Sequence, residues 1–469
     1  MWERADRLGA TRKEAARTPE NLRREAHQAR AEMDAAIARI RRLEGYEDFM
    51  AAPGWDAVAA ALQPGWALVY LITTPAGSLA LFLYQNTDGA DVSIKTIWAD
   101  RFTAADLDQL LVEREGEDVV GGHLAGQLFV TQWLEESLAR VLPLLGERLL
   151  EPVAAQLCSV GSEGVMLVPG GRLGLLPLHA ARYRVDGRPV CLLDEFDVAY
   201  VPNARAWRAA RAALETRQHW DPILTGVGNP SHPRPLPFAR AELEEVVALF
   251  AEGACHPLYE EQATRSALLE RLPGATHVHL ACHGVFDLET PLASRLELSQ
   301  GERLTLSQVL DEVAPSLAQA RLVVLSACQS AIPEFRRLPD EVVGLPTGFF
   351  QAGVPGVVGT LWSVNDLSTA LLMVKFYKYY LHGAADEGPM APARALCRAQ
   401  RWLRDVTAGE LLDYFQQHKA LHQARREAEQ RMPEEVAARG VIRFSLADPD
   451  SQPFASQPYH WAPFIFVGV

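Results

Sequence analysis

From residue 221 to residue 469, short apolar runs alternate with amphipathic stretches, and this alternation narrows the available folds more than any other feature. "PILTGVGNP", "THVHLACHG", "RLVVLSACQS", "VPGVVGTLWS" and "HWAPFIFVGV" read as strands. "ARAELEEVVALF", "ATRSALLERL", "LTLSQVLDEV", "EVVGLPTGFFQAG" and "LSTALLMVKFYKYYL" read as the helices between them. Continuous apolar strands separated by helices predict an α/β fold: a mostly parallel sheet covered by helices on both faces. Residues 383–455 interrupt the pattern with a helix near 392–405 and the charged segment "QARREAEQRMPEEVAARG", read as a surface helical insertion.

Upstream the texture differs. In residues 18–50, Met33, Ile37, Ile40 and Leu43 recur at helical spacing, which predicts an amphipathic helix that packs on the next domain or docks a partner. After Pro53-Gly54, "ALVYLITT", "SLALFLYQ" and "VSIKTIWA" read as strands. They are followed by a helical stretch around 129–158 and by "GVMLVPGGRLGLLPLHAARY" and "DVAYVPNARAW". This region reads as a structural α/β half: His179 has no cysteine at a strand end to partner it, and Gly170-Gly171 lacks the Gly-Lys-Ser/Thr of a phosphate loop. The expected division is a helical segment at 1–55, a non-catalytic half at 56–215 and a second half at 216–469.

Composition removes several classes of function. A formal charge of −14 argues against a broad nucleic-acid-binding face, and clusters such as Arg23-Arg24 and Arg41-Arg42 fit a solvated helix. Six cysteines with no CxxC pair suggest neither a disulfide framework nor a zinc ribbon. The N-terminal charges are not followed by a secretory apolar stretch, and no apolar run reaches membrane-spanning length. The expectation is a cytoplasmic protein with reduced thiols, no cofactor and no metal.

Two strands end in reactive groups: "VHLACHG" at His283-Gly284 and "LVVLSAC" at Cys328. Right-handed crossovers place the carboxyl ends of parallel strands on one edge, where ligands bind. If these strands are neighbours, imidazole and thiol meet there. The thiolate is the nucleophile in covalent acyl transfer, and an imidazole within reach can accept the thiol proton and return one to a leaving amine. The backbone amides of Gly284 and Cys328 are natural donors for the developing oxyanion. Against this stands the ordinary reading of a strand cysteine as a small core residue. The cluster His277, His279, Cys282 and His283 raises a metal site as another reading, but strand alternation puts Cys282 on the face opposite His277 and His279.

"VHLACHGVFD", "PLASRLELSQGERLTLSQVL", "ARLVVLSACQSA", "EVVGLPTGFFQAGVPGVVGTLWSVNDLSTALLMVKFYKYY" and "YHWAPFIFVG" together resemble a CHAT domain, a caspase-like cysteine peptidase family related to caspases and separase. With "VPGGRLGLLPLHAA", "VGNP" and "LPFARAELEEV", the resemblance extends over roughly residues 60–469. It implies a caspase-like sheet preceded by a degenerate pseudo-caspase half. It also implies His283 and Cys328 as the catalytic dyad and Gly284 as an oxyanion-hole residue. Asp366, in "LWSVND", aligns with an acidic separase-like position lining the pocket for the residue before the scissile bond, which implies cleavage after a basic residue. Capping of the following helix is its alternative role. Trp362 is expected either to wall the substrate cleft or to sit in the core. The chain departs from the family pattern after the nucleophile, where Ala331 replaces a glycine.

The resulting expectation is a cysteine endopeptidase for limited cleavage of a protein partner, a regulated effector in bacterial defence or stress. Any activating partner or sensor is expected on a separate chain, because only about fifty residues precede the resemblance. The alternative is a catalytically idle CHAT-fold interaction scaffold. A third reading, a thiol hydrolase or acyltransferase for small molecules, fits less well with the long segment from Ile332 to Leu345, which suggests a peptide-binding loop.

Overall fold

The computed structural model describes residues 19–469 apart from 45, 48, 50–53, 61, 86–91, 218–220, 337–341, 386 and 432–447. The chain divides into two compact units, Met1–Asp56 and Ala57–Val469. In the first, the expected helix runs over Pro19–Ile40, a span free of glycine, with proline only at its first position.

The second unit is built on one eleven-stranded sheet. In chain order its strands are β1 (Trp66–Thr74), β2 (Gly77–Gln85), β3 (Val92–Ala99), β4 (Gly164–Pro169), β5 (Asp197–Tyr200), β6 (Leu224–Pro230), β7 (Cys255–Glu260), β8 (His277–Ala281), β9 (Leu322–Ser326), β10 (Gly356–Thr360) and β11 (Phe464–Gly468). Their order across the sheet is β7-β6-β8-β9-β10-β11-β5-β4-β1-β2-β3. Strands β6 to β10 are mutually parallel. β11 runs antiparallel to β10 and parallel to β5, so it stitches the two halves together. One sheet therefore runs through both the 56–215 and the 216–469 segments.

The apolar texture of the central strands follows from burial on both sides. β8, β9, β10 and β11 are buried at every position. Neighbouring residues of β9 feed different cores: Leu322 and Val324 join one that includes Leu243 and Met373, while Val323 and Leu325 join another with Leu268, Leu306 and Phe349. Helices thus cover both faces, as the absence of polar alternation requires. Short polar residues start several of them: Thr264 caps Arg265–Arg271 and Asn365 caps Asp366–His382. Helices Pro392–Asp405 and Lys419–Arg431 occupy the expected insertion, and the end of its charged segment lies outside the described residues.

Among the elements that escaped the sequence reading, two bear on the sheet and the site. β7 contains Pro257, which cannot donate to a sheet ladder, and it accordingly sits at the sheet edge. A small antiparallel sheet of Gly284–Val285, Arg295–Glu297 and Arg303–Thr305 holds the segment after His283. Its strands are too short for a periodic signal.

Closure of the halves by β11 depends on Gly468. Its φ is +140°, and a Cβ there would lie 2.2 Å from the Pro355 carbonyl oxygen. Gly468→Ala is expected to destabilise the unit by roughly 1–3 kcal/mol, read as a lower urea midpoint with an unchanged slope.

Candidate active site

β8 and β9 are adjacent and parallel, with Ala281 opposite Ser326. His283 and Cys328 each follow two residues later, so equal steps beyond a matched pair carry both to the same edge. The approach there is close. A Cβ on Gly284 would lie 2.3 Å from the Cys328 carbonyl oxygen and 3.2 Å from the Ala327 Cβ. Only glycine lets the His283 segment lie against the Cys328 backbone without displacing it.

His283 is oriented from a third segment. Its Nε2 lies 2.6 Å from the carbonyl oxygen of Arg234. A carbonyl only accepts, so Nε2 carries the proton and the neutral ring keeps its lone pair on Nδ1. Among the described residues no hydrogen bond joins the imidazole to the Cys328 thiol. Arg234 belongs to the strap "SHPRPL" between β6 and the helix Pro237–Val247. Asn229 closes the strap by accepting from the Leu236 N–H at 2.9 Å, and Ser299 Oγ accepts from the Ser231 N–H at 2.9 Å. The His232 ring lies 4.4 Å from that of His283, centroid to centroid.

Burial decides the charge state of both candidate groups. It pushes the Cys328 thiol above its ordinary range, against the Val364 amide and the Ser363 hydroxyl, which favour thiolate. Asp366 adds to the rise and Arg234 opposes it. Burial lowers the affinity of His283 for a proton, the Arg234 carbonyl opposes this, and the charges of His232 and Arg234 reinforce it. The resting pair is a neutral thiol beside a neutral imidazole, suited to general-base activation rather than a standing ion pair.

The loop after Cys328 is held in an unusual conformation. Gln329 has a φ of +54°, which ordinary side chains rarely adopt. Its Nε2 donates to the Gln127 carbonyl at 2.7 Å and its N–H to the Trp362 carbonyl at 3.2 Å. Gln127 lies in the helix His123–Leu128, so the first half of the unit braces the loop after Cys328. Ala331, where the family pattern has glycine, is buried and donates its N–H to the Thr360 carbonyl at 2.7 Å. Its φ is not positive, so the alanine fits without strain.

Asp366 and Trp362 occupy places other than those the cleft reading assigns. Asn365, not Asp366, caps the helix Asp366–His382 by accepting from the Ser368 N–H. The Asp366 carboxylate instead accepts from the Phe238 N–H at 2.9 Å, and the Ala239 amide also favours its charged form. It thereby caps the neighbouring helix Pro237–Val247, whose own cap position is Leu236 and supplies no side-chain bond. Burial, aided by Glu242, still pushes the carboxyl up to about 7. Trp362, read as either a cleft wall or a core residue, is fully buried; its indole N–H donates to the Tyr459 carbonyl and its ring meets His123 edge-on. It supports the site from within the core.

His277, His279 and His179 are buried in the fold. His277 contacts the Thr276 hydroxyl at 2.8 Å and Tyr380 at 3.0 Å, and burial lowers it to about 3. His279 Nε2 lies 2.9 Å from Glu242 Oε1 in full burial, a close contact without hydrogen-bond alignment. Cys282 is buried and its thiol is pushed up. In the first half, His179 contacts Tyr200 at 2.9 Å and is likewise lowered to about 3 by burial. Among the described residues no group of three or more His, Cys, Asp or Glu side chains is arranged to hold a metal. No described helix is long and apolar enough to cross a membrane.

Sequence reasoning missed the strap, Glu242 and Gln127. The one available signal was "HPRP", where prolines on both sides of Arg234 restrict the backbone.

Two outcomes test this geometry. Gly284→Ala, with its Cβ against the Cys328 carbonyl, is expected to cost roughly 1–3 kcal/mol in urea unfolding and to change the alkylation rate of Cys328. The Asp366 carboxyl lies near 7 in the fold against an ordinary 3.8, so the folded chain retains a proton that the unfolded chain releases. That contribution is complete below pH 4 and is lost as pH rises through 7. Asp366→Asn keeps an acceptor for the helix amides and is expected to flatten this slope, on the order of 2–3 kcal/mol between pH 5 and pH 8. Thermal melts at the two pH values provide the check.

Comparison with known proteins adds the family. The CHAT domain family profile matches residues 139–469. No curated protein matches the chain in sequence. Similar solved structures include the Saccharomyces cerevisiae separase–securin complex at 2.6 Å resolution, with a TM-score of 0.44 and 10% identity over 88% of this chain and 30% of that one. The chain thus spans less than a third of that separase chain's length. Another is the Arg-specific cysteine proteinase gingipain R, with a TM-score of 0.38 and 8% identity over 54% of this chain and 61% of that one. A third is the complex of Porphyromonas gingivalis RgpB pro- and mature domains, with a TM-score of 0.36 and 8% identity over 68% and 67% of the two chains. By a match covering more than half of its length, this chain belongs to the CHAT domain family.

Proposed function

We propose that this protein is a cysteine endopeptidase in which His283 activates Cys328. One observation carries the reading: β8 and β9 end side by side at Ala281 and Ser326, each two residues short of His283 and Cys328, and Gly284 lies against the Cys328 backbone. The His283 Nδ1 lone pair accepts the thiol proton as Sγ attacks a peptide carbonyl carbon. The negative oxygen is received by the amides of Gly284 and Cys328, and the imidazolium protonates the departing amine. Water then enters, activated by the same imidazole, and releases the acyl group from sulfur. Residues 216–469 supply this chemistry, and residues 56–215 act as a pseudo-caspase half that braces the Cys328 loop.

A thiol raised above its ordinary range beside an imidazole oriented elsewhere describes a weak resting nucleophile. This fits a regulated effector, active in the cytoplasm on a protein substrate once a partner on another chain brings imidazole and thiol into contact. A bacterial defence or stress role follows the family resemblance. Cleavage after a basic residue has less support, because the Asp366 carboxyl is committed to a helix terminus and lies near 7. The second reading, an idle interaction scaffold, is favoured by the absence of a hydrogen bond between His283 and Cys328 among the described residues.

Exposure of a diverse peptide library to wild type, Cys328→Ala and His283→Ala, read by mass spectrometry, separates the two. Cuts made by wild type and lost by at least about a hundredfold in both variants are expected. Cuts that persist in Cys328→Ala would eliminate the thiol as nucleophile. Silence in all samples, with candidate activators present, would favour the scaffold.

A further inference from the structure

The strap that orients His283 also brings a cation to the mouth of the site. Arg234 is exposed, stands between Pro233 and Pro235, and holds Nε2 of His283 with its backbone carbonyl at 2.6 Å. Its side chain has no carboxylate partner among the described residues. Other arginines around the site are neutralised: Arg295 pairs with Glu297 at 2.8 Å and Arg336 with Glu289 at 2.6 Å. His232, on the same strap, adds a second basic group 4.4 Å from the His283 ring.

Among the described residues the acids of the neighbourhood are occupied. Glu297 is taken by Arg295, and Glu242 is buried against His279. The Asp366 carboxylate is turned onto the amides at the start of the helix Pro237–Val247. The charge left for an incoming group is therefore positive, and the guanidinium favours the ionised thiol at Cys328 while disfavouring protonation of His283. Two prolines restrict the backbone that carries it, so little ordering remains to be done when it meets an anion.

We infer that Arg234 is a specificity-determining residue that selects a carboxylate-bearing group, an aspartate or glutamate of the substrate, beside the bond presented to Cys328. A guanidinium can hold a carboxylate through two parallel N–H···O bonds, which gives direction as well as attraction. The cleavage part of this inference rests on the peptidase reading. The attraction of anions to the thiol does not.

Alkylation of Cys328 tests the attraction without any need for turnover. Wild type, Arg234→Gln and Arg234→Glu are treated with iodoacetate and with iodoacetamide at one pH and low ionic strength, and the Cys328 peptide is quantified by mass spectrometry. The ratio of the two rates cancels the reactivity of the thiol itself. It is expected to fall about fivefold in Arg234→Gln and further in Arg234→Glu, and to converge between variants at high salt. Equal ratios in all three proteins would overturn the inference. Because the altered side chain is exposed and the carbonyl on His283 is retained, melts of the variants are expected to match wild type.

The peptide library supplies the second arm. Cys328-dependent cuts enriched for Asp or Glu near the bond in wild type, and depleted of them in Arg234→Glu, support the assignment. Cys328-dependent cuts with no acidic preference overturn it while leaving the peptidase reading intact. If no Cys328-dependent cut is found even with candidate activators present, the peptidase reading fails and the alkylation ratio alone decides whether Arg234 draws anions to the thiol.

Discussion

The parallel pairing of His277–Ala281 with Leu322–Ser326 is the constraint on which the rest of the site depends. Within the ladder each residue advances in step with its partner as far as Ala281 and Ser326, where both strands end side by side. Two steps later the strands deliver an imidazole and a thiol. Gly284 then lets one chain lie against the carbonyl of the other, an approach that any side chain would prevent. The buried apolar residues of both strands hold this register, because a one-residue slip would exchange the two cores on either face of the sheet.

Around that pair the protein uses backbone groups and buried polar side chains as fixtures. The Arg234 carbonyl sets the proton position on His283, and the strap bearing it leads into a helix whose first amides are held by Asp366. Gln329 keeps a left-handed backbone immediately after Cys328, tied to Gln127. The first half of the unit is thus part of the site's support even though its own histidines are buried and bonded. β11 joins that half to the second through pairing with both β5 and β10. A half that carries no candidate nucleophile can in this way control the geometry of one that does.

Electrostatics points to restraint at rest. Removing the thiol from water favours its neutral form, and the same effect keeps the imidazole neutral. Both groups are in the protonation state that general-base transfer requires, yet neither is bonded to the other among the described residues. Substrate or partner binding that drew the imidazole toward sulfur would supply the missing step. Because the surrounding polar groups are fixed in a low-dielectric setting, small displacements there have large consequences for charge.

The alternation of buried runs and amphipathic stretches was enough to place the parallel strands and most of the helices, because burial on both faces leaves no freedom for polar residues in the strands. The two residues at the strand ends were legible for the same reason: a His-Gly and a Cys that follow apolar runs are conspicuous. β7 was not, since Pro257 and its edge position remove the apolar signal. Nor were the partners of Asp366 and Trp362, Phe238 and Tyr459, which lie more than ninety positions away. By itself the sequence determined the layered α/β class and the pair of reactive groups at one edge, both consequences of local periodicity. Only the tertiary structure decided which strands are neighbours, which carbonyl orients His283, and that Asp366 faces a helix terminus. Those contacts join distant segments, and close packing selects them with no trace in any local pattern.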